Sequence, residues 1–331
     1  MWIGGNVRRK ENIMAIWTVC EVRGDDFSPT TYELLSQARK VGAEAGMETV
    51  AVVVGAEAGL ADKLNGQAHQ VICLKAGNLG IFDAGSWAEA LCGKCAEAST
   101  RLILFSDSDR GREMAPVVAA NLKYAALVNV TSLEWEEGQF TITRPVCGGK
   151  AYATYGTGES GCVAVVRPNS FSIEPGEIAS AQVQMVEVDV APGKVSVEEL
   201  KPREGRKIPL TEAQVVVCGG RGMKTDKNLS LLEDLAEALG GAVGVSRAVV
   251  DAGWADHNDQ VGKSGKTVSP GLYIVAGVSG AVHHTMGMDT SKVVVAINTD
   301  ANAPIFRFAD YGIVGDALEV LPAITKALRA D

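Results

Sequence analysis

Two short apolar runs near the carboxyl end, LYIVA at Leu272–Ala276 and VVVAI at residues 293–297, set the tightest limit on what this chain can fold into. Both are branched and free of charge, as strands buried on both faces of a parallel sheet are. Neither ends in a charged turn. The first gives way to Gly277, Ser279, Gly280 and Ala281 and then to His283 and His284; the second gives way to Asn298 and Asp300. In open parallel sheets, ligands settle beyond the carboxyl ends of the strands, where loops offer backbone N–H groups to anions. Ser279-Gly280-Ala281, entering a short helix, suits a dinucleotide pyrophosphate. A cofactor site is therefore expected within residues 270–316.

The rest of the chain reads as two α/β domains. Its 331 residues exceed one ordinary small domain, and 47% hydrophobic content supports two cores. Residues 1–13 are basic, glycine-containing and lack an apolar core, so they read as a disordered extension or a matter of start-site choice rather than a secretory signal, with a transit peptide to the mitochondrial matrix as the lesser alternative. From residue 14 to about 127 strands and helices alternate: strands at 15–22, 49–54, 70–74 and 101–105, helices at 30–45, 56–64, 87–98 and 112–122. Four such units predict a parallel sheet covered on both faces. Residues 128–135, 139–144, 150–155, 161–166 and 182–188 read as shorter strands that extend or cap that sheet. The segment 106–113, SDSDRGRE, reads as a capped helix start, with Asp109 satisfying free amides and Arg112 and Glu113 solvated; the alternative is a nucleotide or metal site.

Residues 195–211, with two prolines and many charges, mark a linker between a first domain at 14–194 and a second at 212–331. The second domain opens with a strand at 213–218, continues with a helix at 226–239 and closes with one over Ala317–Leu328. Strand, glycine turn and helix in that order indicate a doubly wound fold, but GxGxxG is missing, so an ordinary NAD site is not supported. In Gly219-Gly220-Arg221-Gly222 the glycines let backbone approach a phosphate that Arg221 can grip; the alternative is a plain turn with an exposed arginine. Ser246-Arg247 lies among small residues before an apolar run, which argues against a solvated charge; the alternative is a surface or interface salt bridge. Val261-Gly262-Lys263-Ser264 lies in a loop that could be mistaken for a GxxxxGK[ST] phosphate loop but does not satisfy that pattern. His283 and His284 have no companions for zinc.

Five ordered strings, VVVCGGRGMK, VGVSRAVVDAGW, VGKSGKTVSPGLYI, VSGAVHHTMGM and VVVAINTDANAPIF with ADYGIVGD after it, closely resemble the α subunit of electron transfer flavoproteins. The string GREMAPVVAANL resembles that family's first domain, which holds no cofactor of its own. The resemblance implies FAD bound without a covalent bond in the second domain, held by Gly220, Arg221, Gly222, Ser246, Arg247, Val261, Gly262, Lys263, Ser264, Ser279, Gly280, Ala281, Val282, His283, His284, Asn298 and Asp316. Arg221 would lie near the cofactor. Arg247 would pack by the isoalloxazine ring, stabilise its anionic reduced form and raise its potential. Ser264, where the family often has threonine, would bond toward the N5 edge, and Lys263 replaces the usual glutamine. His284 would approach the pyrimidine carbonyl, where a cationic imidazole would help an anionic ring; His283 replaces another glutamine. Asn298 and Asp316 would serve ribose or adenine.

The function this implies is electron carriage rather than stand-alone catalysis. A β subunit would complete a heterodimer taking electrons from a flavin dehydrogenase such as an acyl-CoA dehydrogenase, in fatty acid β-oxidation, to a quinone oxidoreductase. Two alternatives remain: an electron-bifurcating form that oxidises NADH and reduces ferredoxin, and an NAD-binding enzyme or module on a sirtuin-like or deoxyhypusine-synthase-like fold, for which His284 is the only candidate catalytic group. A net charge of −9 argues against sequence-independent nucleic-acid binding. No apolar run is long enough for a membrane span. Seven scattered cysteines fit a reducing, cytoplasmic setting, and the single CxxC at Cys92 and Cys95 reads as helix packing.

Overall fold

The computed structural model describes residues 14–55, 58–77, 79–96, 100–191, 195, 197–199 and 208–330. The expected extension at 1–13 lies outside the described residues, as does much of the expected linker at 195–211. Two compact units emerge, Met1–Pro145 with Tyr152–Leu200, and Val146–Ala151 with Lys201–Asp331.

In the first unit the main elements are β1 (Ala15–Cys20), α1 (Pro29–Ala45), β2 (Glu48–Val54), β3 (Gln70–Lys75), α2 (Ala84–Ala96), β4 (Thr100–Ser106), α3 (Asp109–Leu122), β5 (Ala125–Val130), β6 (Ser132–Glu136), β7 (Gln139–Val146), β8 (Ala151–Gly156), β9 (Cys162–Val166) and β10 (Gln182–Glu187). Seven strands form one sheet in the order β10-β3-β2-β1-β4-β9-β5, with every pairing parallel. Alternation along β1 feeds both faces. Ala15, Trp17 and Val19 join Leu91 of α2 and Met114 of α3 in one core, while Ile16 joins Leu34 and Val41 of α1 in another.

Two expectations for this unit are corrected. Not all the shorter strands extend the sheet: β6, β7 and β8 form a separate three-stranded sheet, with β6 and β7 antiparallel. The expected strand at 128–135 breaks at Thr131, after Asn129 takes a left-handed φ of 61°. At the start of α3 the cap is Ser108, whose side chain accepts from the Gly111 N–H, and Asp109 lies in the first turn. Arg112 and Glu113 are exposed, as expected, and the Arg112 Nε in addition meets the Asp107 carboxylate at 2.6 Å. The segment is a helix start, as expected, built by different residues.

The second unit contains β11 (Val215–Gly219), α4 (Ser230–Ala238), β12 (Ala242–Val245), α5 (Arg247–Val250), β13 (Leu272–Ala276), α6 (Val282–Thr285), β14 (Val293–Asn298), β15 (Tyr311–Val314) and α7 (Ala317–Leu328). The strands are all parallel, in the order β12-β11-β13-β14-β15. Val217 and Ile274 face Leu232, Leu235 and Leu321 from α4 and α7; Val216, Cys218, Tyr273 and Val275 face Val261, Met288 and Ile305. The helix expected at 226–239 is shorter. Asp226–Leu229 forms a tighter 3-10 turn, because the Asn228 amide donates to the Met223 carbonyl at 2.7 Å and pulls the entry back toward β11. No described helix is long and apolar enough to cross a membrane.

Candidate cofactor site

Sequence order runs from β11 outward to β12 and then back past β11 to β13, so the order reverses between two adjacent strands. Beyond the carboxyl ends of such a pair a doubly wound sheet offers a crevice. Here both ends are glycine. The Gly220 N–H donates to the Ala276 carbonyl at 2.9 Å, and the Gly222 N–H donates to the Gly277 carbonyl at 3.0 Å. A Cβ on Gly220 would lie 2.2 Å from the Gly277 oxygen, and one on Gly222 would lie 2.6 Å from the Gly277 Cα. Backbone rests on backbone, which is why these positions carry no side chain. Arg221 stays exposed, its guanidinium carbon 6.0 Å from the Trp254 ring. No carboxylate among the described residues lies within ion-pair distance of it.

Other predicted residues are tied to this turn or to one another. The Ser246 N–H donates to Gly219 at 2.9 Å, and the hydroxyl-bearing residue is buried. Arg247 is exposed and meets Asp251 at 3.4 Å, one helical turn on. Val261 joins the end of β12 through its N–H to the Val245 carbonyl. Gly262, at φ 141°, and Lys263 bring that loop against α6: the Lys263 N–H donates to the His283 carbonyl at 2.7 Å, and a Cβ on Gly262 would lie 2.7 Å from that same oxygen. The Ser264 hydroxyl accepts from the Gln260 amide at 2.9 Å. The Ser279 carbonyl receives the Ile305 N–H, and Gly280 has a φ of 85°. Ala281 opens α6, and Val282 and His283 point outward.

Asn298 and Asp316 are engaged within the chain. The Asn298 amide donates to the Val278 carbonyl at 2.9 Å, and its oxygen accepts from the Asp300 N–H. Asp316 caps α7 through the Leu318 N–H and pairs with Lys224 at 2.8 Å. Lys224, ahead of the Leu318 N–H, holds the Asp316 carboxyl below its usual range. Nothing in the spacing reveals a pair that is 92 residues apart. Gly277, by contrast, carried a signal: a glycine directly after a buried strand.

His284 is 7% exposed, and its Nε2 lies 3.1 Å from the Tyr273 hydroxyl. Nδ1 is also buried and has no partner within hydrogen-bond geometry among the described residues. Burial pushes the imidazole down to about 4, against a smaller opposing pull from the Val261 backbone. The expected cation is thus corrected: in the chain by itself His284 is neutral near neutral pH, because a buried imidazolium would lose its hydration without a carboxylate to replace it. Between about pH 6.5 and 4 the unfolded chain holds a proton on this ring that the native chain lacks. Stability is therefore complete above about 6.5 and falls as pH drops toward 4, by up to about 1.4 kcal/mol per unit. Chemical denaturation across this range should show that slope in the wild-type chain and a shallower one in His284→Asn. Equal slopes would mean that another group carries the acid sensitivity.

No group of metal-ligating side chains exists among the described residues. The Cys95 thiol is pushed up by burial, as are those of Cys20, Cys162 and Cys218, which leaves them as packing groups.

Residues 16–192 match the family described as electron transfer flavoprotein domain, and residues 209–289 match the electron transfer flavoprotein FAD-binding domain. The chain is 35% identical to the electron transfer flavoprotein subunit alpha of Megasphaera elsdenii, over 95% of this chain and 96% of that one. It is 35% identical to the protein FixB of Azotobacter vinelandii, over 96% and 92% of the two chains. With the subunit alpha of Bacillus subtilis (strain 168) it shares 31% identity over 93% and 95%. Both halves of the chain thus match the same family in order, and the chain belongs to the electron transfer flavoproteins as an α subunit with an FAD-binding domain.

Proposed function

We propose that the chain holds one FAD in residues 212–331, pairs with a β subunit, and carries electrons from a flavin dehydrogenase of the acyl-CoA dehydrogenase type to a quinone oxidoreductase. The observation that carries this reading is the glycine contact at the reversal of strand order, where Gly220, Gly222 and Gly277 meet and Arg221 is exposed with no carboxylate among the described residues within ion-pair distance.

The residues present fit FAD. Arg221 and the exposed Lys263 offer cations, and Ser279 and Ser264 offer hydroxyls suited to a pyrophosphate and a polar ring edge. Asp316, the carboxylate that would oppose an anion, is already neutralised by Lys224. FAD, when bound, supplies the redox chemistry. The chain's own part is to bind and orient: Arg221 grips phosphate, Arg247 places positive charge by the ring, Ser264 and His284 bond to its polar edges, and Asn298 and Asp316 shape the nucleotide end. No nucleophile, metal or acid–base pair is required of the protein.

The test is the visible spectrum of the chain co-expressed with its β subunit. The heterodimer should be yellow and should bleach when an acyl-CoA dehydrogenase and its substrate are added. A heterodimer that stays colourless after incubation with FAD would overturn the reading; a yellow one that no flavin dehydrogenase bleaches would overturn the assigned donor.

A further inference from the structure

The link between Tyr273 and His284 lies beneath the site and is not among the expected cofactor contacts. Tyr273 is on β13, the strand beside the reversal of order, and is fully buried. Eleven residues later the chain has turned through Gly277 and Gly280 and laid His284 back over the same strand, with Nε2 3.1 Å from the phenol oxygen. A buried phenol needs a hydrogen-bond partner. Its other polar neighbour is the Cys218 thiol, on the same face of adjacent β11. A thiol sulfur accepts weakly and an imidazole nitrogen accepts well, so the phenol proton goes to the ring.

We infer that Tyr273 is a positioning residue for the cofactor site: its hydroxyl donates to Nε2 of His284 and so fixes the neutral imidazole as the tautomer with its proton on Nδ1. Charge does not compete with this arrangement. Burial pushes the imidazole down to about 4 and the phenol well above its ordinary range, so neither an imidazolium nor a phenolate forms near neutral pH. The pull of the Val261 backbone, which favours a protonated ring nitrogen, acts in the same direction. Nδ1–H is then the ring's remaining donor, and among the described residues it meets only the weak pull of the Val261 backbone. Positive charge by the ring is then left to Arg247 or Lys263, and His284 contributes a fixed neutral donor. The assignment of that donor to FAD rests on the function proposed above; the tautomer does not.

The experiment uses the chain with its β subunit and nitrogen-15 labelled histidine, of which the sequence has four. Nitrogen shifts at pH 7 distinguish the protonated ring nitrogen from the bare one, with and without FAD. Wild-type His284 should show a protonated Nδ1 and a bare Nε2. Tyr273→Phe keeps the ring volume but removes the hydroxyl; the tautomer ratio should move about tenfold toward Nε2–H, the scale of one neutral hydrogen bond. Should that variant fail to fold, 3-fluorotyrosine incorporated into the wild-type chain strengthens the phenol as a donor and should shift the Nε2 resonance of His284. A wild-type His284 protonated on Nε2, or a nitrogen pattern untouched by either change at Tyr273, overturns the inference. His284→Asn separates the two claims. If it leaves FAD affinity and spectrum unaltered while Tyr273 still governs the tautomer, the placement of FAD against His284 fails and the positioning role stands.

Discussion

Gly280→Ala should cost the second unit about 2–5 kcal/mol and abolish measurable FAD binding, whereas Gly253→Ala should cost about 1–2 kcal/mol and leave binding intact. Both glycines have left-handed backbones, with φ of 85° and 73°. An L side chain in that region is strained by about 1–2 kcal/mol. The surroundings differ. A Cβ on Gly253 meets nothing within 4 Å, but one on Gly280 would lie 2.2 Å from the Ile305 nitrogen and 2.5 Å from its Cα. Those are backbone atoms, and that nitrogen donates to the Ser279 carbonyl at 3.1 Å, so they cannot swing aside as a side-chain tip would. Relief requires the 279–281 turn to part from residues 303–306, adding the roughly 1–3 kcal/mol of an overpacked contact. Against a total of about 5–15 kcal/mol for a typical domain, that is a large share. Denaturant midpoints and FAD titration of the two variants check it. Equal losses at the two positions would show that backbone conformation alone, and not the close approach, makes Gly280 necessary.

The same glycines show what a sequence discloses and what it withholds. Strand β13 and helix α7 were legible to the residue, because an uncharged branched run and an amphipathic stretch opened by Asp316 are local signals. The glycine turn after β11 was legible for the same reason. What escaped were consequences of tertiary neighbours. The small residues around Arg247 read as enclosure, yet α5 turns it outward to Asp251. The charge of His284 depends on burial that no flanking residue announces. The Tyr273 hydroxyl meets His284 only because two glycine turns fold the chain back over its own strand, and Lys224 finds Asp316 across most of the unit. In the first unit, alternation predicted strands at 128–135 and 139–144 and joined them to the main sheet, whereas most of that stretch forms a sheet of its own, since a half-buried strand has the same period whichever sheet it joins.

Arg221→Glu should lower FAD affinity by at least about 100-fold while leaving the stability of the FAD-free chain within about 1 kcal/mol of wild type. The two halves of this expectation have separate causes. In the chain alone Arg221 has one modest contact, its guanidinium carbon 6.0 Å from the Trp254 ring, and exposed cation–π contacts are worth about 0.5–1 kcal/mol. The backbone on either side is held by Gly220 and Gly222, whose N–H bonds to the ends of β13 do not involve the arginine side chain. Substitution therefore leaves the turn in place. Toward a pyrophosphate the arginine offers charge-assisted hydrogen bonds worth about 1.5–3 kcal/mol each, and a carboxylate at the same place replaces attraction by repulsion. The loss should shrink as salt is added, because the charge lies at the surface where ions screen it. Arg221→Ala should fall between the two, losing the bond without the repulsion. If Arg221→Glu bound FAD as wild type does, the glycine turn would be a structural bend and the phosphates would lie elsewhere. If instead it unfolded the chain, the arginine would hold the turn that its two glycines are argued to hold without it.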